Sequence, residues 1–136
     1  MTLIALFGPP AVGKSSLILE AKKLKIVAHD IELLGHSFEE RKKEFDILLS
    51  NETAKYVIFG AADLHFVDFP PETIKVLLLP PIDEYKKRLE HRDYEHPHKS
   101  GQHALDHYSH FIKDQDKYDI VFSQLASKGS LLHEIL

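Results

Sequence analysis

Hydrophobic and polar positions along this chain follow two periods, one typical of buried strands and one typical of helices. Short apolar runs of strand type occupy residues 3–7, 25–28, 56–59, 74–79 and 119–122. Between and after these runs, apolar residues recur at helical spacing over 16–24, 38–51, 82–89, 104–112 and 125–136. Strands that alternate with helices predict an α/β domain with three layers, in which a five-stranded parallel sheet is covered by helices on both faces. We expect residues 1–136 to form a single domain.

The helical segments also predict which residues face the core. In the first, the inward stripe consists of Leu17, Ile18, Ala21 and Leu24. In the segment near residue 108, it consists of Ala104, Tyr108, Phe111 and Ile112. Ser37 and Glu40 have the spacing of a capping box and mark the start of the second helix. The periodicity dissolves between His91 and Gln102, which predicts an irregular polar stretch there.

Composition and charge exclude several classes of protein. Apolar residues make up 43% of the chain and charged residues 28%, as in ordinary globular domains. The net charge is -4 and no block of five like charges occurs, so a general nucleic-acid-binding surface is not indicated. The chain has no cysteine, which excludes disulfides and thiolate zinc sites. Without a membrane-length apolar run or a leader before the first strand, a cytoplasmic protein is expected.

The segment Gly-Pro-Pro-Ala-Val-Gly-Lys-Ser at 8–15 lies between the first strand and the first helix, which is the context of a phosphate-binding loop. Glycines let the backbone turn tightly so that several N–H groups converge on one anion, and the helix N-terminus points at the same spot. A lysine supplies charge for the β- and γ-phosphates, and a serine hydroxyl suits Mg²⁺. The predicted nucleotide-binding residues are Gly8, Pro9, Pro10, Ala11, Val12, Gly13, Lys14, Ser15 and Ser16.

Carboxylates follow two other predicted strands. Asp30 comes directly after the second strand and Asp63 shortly after the third, with Glu32 two residues beyond Asp30. Ligands of open parallel sheets gather at the carboxyl ends of the strands. We therefore expect Asp30 to lie near Lys14 and Ser15, although the same aspartate also suits a helix N-cap.

With these residues in this order, the chain resembles the small P-loop kinases, a group that includes shikimate kinase, gluconate kinase, the nucleoside monophosphate kinases and polynucleotide kinase. The resemblance extends over nearly the whole chain in element order, but its specific motif is the phosphate loop alone. It implies the strand order 2-3-1-4-5 and the transfer of the γ-phosphoryl group of ATP, with Mg²⁺, to a small acceptor.

The resemblance also implies roles for individual residues. Lys14, Asp30, Arg88 and Arg92 become candidate catalytic residues, and Ser15, Asp30 and Asp63 candidate magnesium ligands. A short lid is expected around 92–102, carrying arginines over the phosphates. Simpler alternatives stay open, because Arg88 also pairs with Glu84 at helical spacing and Asp63 also suits a structural turn.

The segment 31–52 is expected to form the wall against which the acceptor binds. Glu32, Phe38 and Arg41 are the candidate residues there, since a phenylalanine can stack on a ring and an arginine can hold a phosphate or carboxylate. Phe38 has a structural alternative as a core residue, given its spacing to Phe45. Which acceptor binds is left open by these residues.

Three functions remain in competition. The first is a kinase acting on a hydroxyl of a small molecule, nucleoside or polynucleotide end. The second is a nucleoside monophosphate kinase, disfavoured because the chain lacks the Asp-Gly-aromatic-Pro-Arg signature of typical adenylate kinases. The third is a nucleotide-dependent ATPase or switch, although the Asn-Lys-x-Asp motif of common GTPases is absent. The preference for ATP over GTP and the oligomeric state are not determined by the sequence.

Ten histidines are present, and several of them crowd the region from 91 to 110. His103, His107 and His110 share one helical face, a spacing compatible with a metal site. Surface histidines near a lid are the favoured interpretation, because that face adjoins an apolar stripe and not a strand end. His29, next to Asp30, is better placed for a role at the site.

Overall fold

The computed structural model describes residues 1–9, 12, 14–61, 67–95 and 101–122 of the chain. Within these ranges, only the backbone is described at 15, 88, 91–95 and 101–103. The five strands are β1 (Thr2–Phe7), β2 (Val27–Asp30), β3 (Tyr56–Gly60), β4 (Ile74–Leu78) and β5 (Ile120–Phe122). The α-helices are α1 (Lys14–Lys23), α2 (Phe38–Asn51), α3 (Ile82–Glu95) and α4 (Gly101–Asp114), and two short 3₁₀ helices span Ile31–Leu34 and Gln115–Lys117.

All five strands form one parallel sheet in the order β2-β3-β1-β4-β5. This confirms the three-layer α/β fold and the strand order that the sequence and its resemblance predicted. The order places β1 at the centre of the sheet, with β3 on one side and β4 on the other. Leu6 pairs with Gly60, and Gly60 pairs with Asp30, so the carboxyl ends of these three strands are level.

Helices α1 and α2 cover opposite faces of the sheet. On one face, a methyl group added to Gly60 would come within 2.6 Å of the Ile18 side chain of α1. On the other face, the ring of Phe59 contacts that of Phe45 from α2, with centroids 4.8 Å apart. Neighbouring residues of a strand point to opposite faces, which is why Phe59 and Gly60 contact different helices.

The face under α2 is lined by a row of aromatic rings. From Phe59 and Phe45 the contacts continue through Phe69 and Phe7 to Tyr118, with successive centroids 4.8 to 5.5 Å apart. These pairs meet edge to face, the arrangement that the charge distribution of aromatic rings favours. Because Phe45 is almost fully buried, truncating it to alanine should cost about 3–5 kcal/mol.

The first helix ends earlier than its apolar stripe predicts. Leu17, Ile18 and Ala21 are buried, but Leu24 lies beyond the helix and is 55% exposed. The N–H of Ile26 donates to the Ala21 carbonyl and the N–H of Lys25 to the Lys22 carbonyl, which is the hydrogen-bond pattern of a Schellman motif. Lys25 has a left-handed backbone conformation with φ of 62°, which at the end of a helix is usually adopted by a glycine. The prediction that Leu24 belongs to the inward stripe of this helix was therefore wrong.

The helices near the lid are longer than the periodicity predicted. The backbone of α3 stays helical through Glu95, and α4 begins at Gly101, so the irregular stretch does not extend from His91 to Gln102. The buried rings of Tyr85 and Tyr108 stack with centroids 5.0 Å apart and join the two helices. Tyr108 also donates its hydroxyl to the Pro80 carbonyl at 2.6 Å, which fixes α4 to the end of β4.

The apolar character of the helices differs from the sequence prediction at one position of α4. Ile112, predicted to face inward, is 42% exposed, whereas Ala104, Tyr108 and Phe111 of the same stripe are buried. Among the described residues, no helix is both long and apolar enough to cross a membrane.

Candidate functional site

The connection between β1 and α1 is packed tightly against the end of β4. Gly8, Pro9 and Val12 are buried. A Cβ added to Gly8 would lie 2.7 Å from the Leu78 carbonyl oxygen and 2.8 Å from Cγ2 of Val12. Since a carbonyl of the sheet cannot give way, only glycine fits at this position. Pro10, Ala11 and Gly13 of the predicted cradle lie outside the described residues.

Lys14 opens α1, and its ammonium group turns back over the ends of two strands. It donates to the Gly8 carbonyl at 2.6 Å and to the Ala61 carbonyl, just past β3, at 3.3 Å. These charge-assisted hydrogen bonds hold a half-buried cation at the carboxyl edge of the sheet. The contact between Lys14 and phosphate groups stays a prediction; the position permits it, because a phosphate oxygen can replace a carbonyl as acceptor.

Asp30 ends β2 at the same edge, one strand away from the carbonyl that Lys14 contacts. Its register partner is Gly60, the residue before Ala61. One strand spacing, one residue and the Lys14 contact place the Lys14 nitrogen within roughly 15 Å of the Asp30 Cα. An acceptor group and a terminal phosphoryl group can be accommodated across such a separation.

The Asp30 carboxylate also has a structural role. Its Oδ1 accepts from the N–H of Glu32 at 3.1 Å, which makes Asp30 the N-cap of the 3₁₀ helix Ile31–Leu34. The N-cap alternative is thus present in the structure. Capping uses one oxygen and fixes the side chain, while Oδ2 has no hydrogen-bond partner among the described residues. The two roles are therefore compatible.

The turn that follows is held by local hydrogen bonds. Ser37 caps α2 by accepting from the N–H of Glu40 at 3.1 Å, as the capping box predicted. Glu40 Oε2 accepts in return from the N–H of His36 at 2.9 Å, one residue before the N-cap. A Cβ on Gly35 would lie 2.6 Å from Cβ of Glu40 and 3.1 Å from the Arg41 nitrogen, so the turn packs closely against α2.

The predicted acceptor residues differ in their exposure. Glu32 is exposed, Arg41 is half-buried and Phe38 is 39% exposed at the start of α2. Phe45, and not Phe38, supplies the buried ring of this helix, so Phe38 is not a core residue. Sequence reasoning missed Leu33, which is 83% exposed in the 3₁₀ helix beside Asp30. Its exposure depends on the phase of a single helical turn, which apolar spacing does not reveal.

His29 packs next to Asp30 on the aromatic face. Its ring stacks on that of Phe59 with centroids 5.4 Å apart. Burial lowers the pKa of His29 from its ordinary value of 6.5, and the nearby Lys22 charge lowers it further, while Glu52 acts in the opposite direction. Around neutral pH the ring is therefore an uncharged, packed neighbour of the candidate carboxylate.

Several predicted site residues are only partly described. Asp63 lies outside the described residues, as do residues 96–100 of the predicted lid. Ser15, Arg88 and Arg92 are described in backbone only, the first at the start of α1 and the others within α3. Ser16 is half-buried in the first turn of α1. The roles given to these side chains stay predictions.

Metal-ligating side chains do not cluster in the described part of the chain. No group of three or more His, Asp or Glu residues there is arranged to hold a metal ion. The side chain of His103, one member of the histidine triplet noted in the sequence, is not described. Asp30 is the described carboxylate that lies at the strand end beside the Lys14 contacts.

Comparison with known proteins supports this picture at the level of the fold. No protein-family model matches the sequence, and neither does any curated protein. Among solved structures, shikimate kinase from Aquifex aeolicus is similar, with a TM-score of 0.63 at 16% identity, over 98% of this chain and 93% of that one. The YorR protein from Bacillus subtilis, in complex with phosphorylated GDP, gives a TM-score of 0.64 at 19% identity, over 98% and 93%.

A third solved structure, a gluconokinase from Sinorhizobium meliloti, gives a TM-score of 0.55 at 13% identity, over 99% of this chain and 89% of that one. All three cover nearly the whole of this chain, and their identities are too low to transfer a substrate. The strand order, the helix-flanked parallel sheet and these likenesses lead to one conclusion. This chain has the fold of the small P-loop kinases.

Proposed function

We propose that this protein is a phosphotransferase that moves the γ-phosphoryl group of ATP, in the presence of Mg²⁺, to a hydroxyl group of a small acceptor. The observation that carries the proposal is that a cation and a carboxylate lie at the same edge of the sheet. Lys14 contacts the Gly8 and Ala61 carbonyls there, and Asp30 lies on the neighbouring strand end.

The residues present fit a nucleotide with its metal. Lys14, the first residue of α1, donates to the Gly8 carbonyl, and the N–H groups at the start of a helix favour an anion. Lys14 would neutralise the terminal phosphates, with Ser15 as the magnesium-binding residue and Asp63 as a further candidate, because this proposal uses the remaining Asp30 oxygen for proton transfer and not for the metal. When bound, Mg²⁺ supplies charge stabilisation on the β- and γ-phosphate oxygens.

Asp30 supplies the acid–base step in this proposal. As the acceptor oxygen bonds to the γ-phosphorus, the bond from phosphorus to the bridging oxygen breaks and ADP leaves. The hydroxyl proton passes to Oδ2 of Asp30, and the hydrogen bond from Glu32 N–H to Oδ1 holds the carboxylate in a fixed orientation. Arg88 and Arg92 are proposed to neutralise the transferred group from α3, and residues 92–102 to exclude water.

The test uses two substitutions that separate capping from chemistry. Asp30→Asn keeps an oxygen able to cap the 3₁₀ helix, whereas Asp30→Ala removes it. We expect Asp30→Asn to lower kcat by about 100-fold or more and to leave nucleotide affinity and the unfolding midpoint close to wild type. Acceptor-dependent ADP release, nucleotide binding and thermal unfolding are measured on each variant.

The matched control is Asp116→Asn, which removes an exposed carboxylate in the 3₁₀ helix Gln115–Lys117, just before β5. It should leave turnover unchanged. If Asp30→Asn loses no turnover, or loses nucleotide affinity and turnover equally, Asp30 is only a structural cap. ADP release that does not depend on any acceptor would favour a nucleotide-dependent ATPase or switch instead.

A further inference from the structure

We infer that the acceptor is an uncharged hydroxyl compound with a flat apolar face, and that a nucleoside is the compound that fits. This inference rests on the proposed function and names the substrate class of the same site. It assigns Leu33 as a residue that determines specificity. Three observations on the segment between Asp30 and Arg41 support it.

The first observation is the exposed apolar surface beside Asp30. In a 3₁₀ helix, residues three apart lie on the same edge. Ile31 is fully buried and Leu34 half-buried, so that edge faces the protein, while Leu33 lies on the edge that begins with Asp30. At 83% exposure, Leu33 is more exposed than the half-exposed Phe38 at the start of α2.

The second observation is the charge of this segment. Residues 30–40 include the carboxylates of Asp30, Glu32, Glu39 and Glu40 and contain no lysine or arginine. Arg41 and Lys42 follow directly; Arg41 is half-buried and Lys42 is directed along α2 to Asp46 at 3.4 Å, so residues 30–42 carry four carboxylates against two cations. A carboxylate or phosphate on the acceptor would be repelled here, whereas an uncharged molecule would not.

The third observation is the rigidity of the turn that carries Leu33 and Phe38. Gly35 packs against the backbone of α2, and the Ser37–Glu40 and His36–Glu40 hydrogen bonds close the turn on both sides. The backbone at the start of α2, which carries Phe38, is thus fixed, and the Asp30 cap holds the 3₁₀ helix that carries Leu33. A fixed apolar surface binds a planar ring with little loss of conformational entropy.

These properties separate nucleosides from the other acceptors. Shikimate and gluconate, named by the similar structures, are carboxylic acids, and nucleoside monophosphates carry a phosphate. Neutral sugars lack the charge, but the C–H face of a sugar ring is puckered and smaller than the planar face of a nucleobase. A nucleoside combines a hydroxyl group, an apolar ring face and no net charge.

The experiment measures ATP-dependent phosphorylation of a defined panel by wild-type protein. The panel contains adenosine, guanosine, cytidine and thymidine, together with shikimate, gluconate, glucose, AMP, GMP and an oligonucleotide with a 5′-hydroxyl. We expect the best nucleoside to have a kcat/KM at least about tenfold above every acid, sugar and nucleotide. A higher value for any of those others overturns the inference and leaves the proposed function standing.

Two variants test the role of Leu33 directly. Leu33→Ala should raise the KM for the nucleoside about tenfold, with kcat and the KM for ATP little changed. Leu33→Lys should lower nucleoside kcat/KM further and raise that for gluconate or AMP, because it places a cation among the carboxylates. The control is Leu24→Ala, since Leu24 is also an exposed leucine but follows α1 at the opposite end of the sheet.

The outcomes separate the two proposals. An unchanged nucleoside KM in Leu33→Ala, in a variant that unfolds as wild type does, overturns the assignment of Leu33. Arg41→Gln is made in parallel, and a rise in the KM for an acidic acceptor there would identify an anion-binding wall instead. Absence of transfer to every member of the panel contradicts both the inference and the proposed function.

Discussion

The predicted phosphate-loop region and the proposed acceptor wall lie at the same edge of the sheet but are built differently. Around Gly8 and Lys14, the contacts are made to backbone atoms. Gly8 fits against the Leu78 carbonyl, and the Lys14 ammonium group bridges two backbone carbonyl oxygens. Around Leu33 and Phe38, exposed side chains form the surface, and the backbone only holds them in place.

This difference explains why one region is readable in the sequence and the other is not. A surface made by backbone groups demands particular residue types, because only glycine fits at a close approach. A surface made by side chains can be built from many residue combinations. Small P-loop kinases can therefore share the first region while differing in the second.

The largest expected effect is on the phosphate-loop region alone. Lys14→Ala should reduce phosphoryl transfer about 1000-fold, since it removes a fixed cation from the developing charge. The fold should remain intact, because the core of α1 is formed by Leu17, Ile18 and Ala21. Turnover and thermal unfolding are measured, with Lys23→Ala, an exposed lysine of the same helix, as control. Retained turnover in Lys14→Ala would remove the lysine from the site.

A pair of glycine substitutions should separate the two regions. Gly8→Ala places a methyl group against a carbonyl and is expected to cost about 2 kcal/mol of stability and to weaken nucleotide binding. Gly35→Ala forces the turn away from α2 and should raise the acceptor KM about tenfold while leaving ATP binding unchanged. Calorimetric binding of ATP and steady-state kinetics check both. If both variants lose ATP binding alike, the regions are not independent.

The smallest expected effect is on the pH dependence of stability, through His29, which lies next to Asp30. The folded pKa of His29 is depressed, so the unfolded chain binds a proton more readily. Stability is therefore full above the unfolded value near 6.5 and declines as the pH falls through the lower folded pKa. His29→Phe keeps a ring against Phe59 and removes this titration, so the free energy of unfolding of the variant should change less with pH than that of the wild type. Urea unfolding at several pH values from 7 to about 5 measures it, and equal slopes in both proteins would contradict the assignment.

Most of the fold could be predicted because strand runs and helical stripes are properties of the sequence itself. The boundaries that were missed depend on tertiary or unusual local structure. Leu24 is exposed because Lys25 adopts a left-handed backbone without being a glycine. The backbone of α3 runs on to Glu95 through residues with little apolar periodicity.

The candidate site divides in the same way. Lys14 and Asp30 could be placed at strand ends from the sequence, since parallel strands share one carboxyl edge. The Ala61 carbonyl could not be identified as a partner of Lys14, because backbone oxygens carry no sequence signal. The exposure of Leu33 and Phe38 depends on how a short 3₁₀ helix meets α2, which no periodicity encodes.

The left-handed backbone at Lys25 has a practical consequence for work on this molecule. A lysine there bears a steric penalty that a glycine would avoid, and the Schellman hydrogen bonds would remain in place. We therefore expect Lys25→Gly to raise the thermal unfolding midpoint through a change that is remote from the candidate site. Variants of the candidate site that prove too unstable to purify can be remade in a Lys25→Gly background, because Lys25 precedes β2 at the end of the sheet opposite to Lys14 and Asp30.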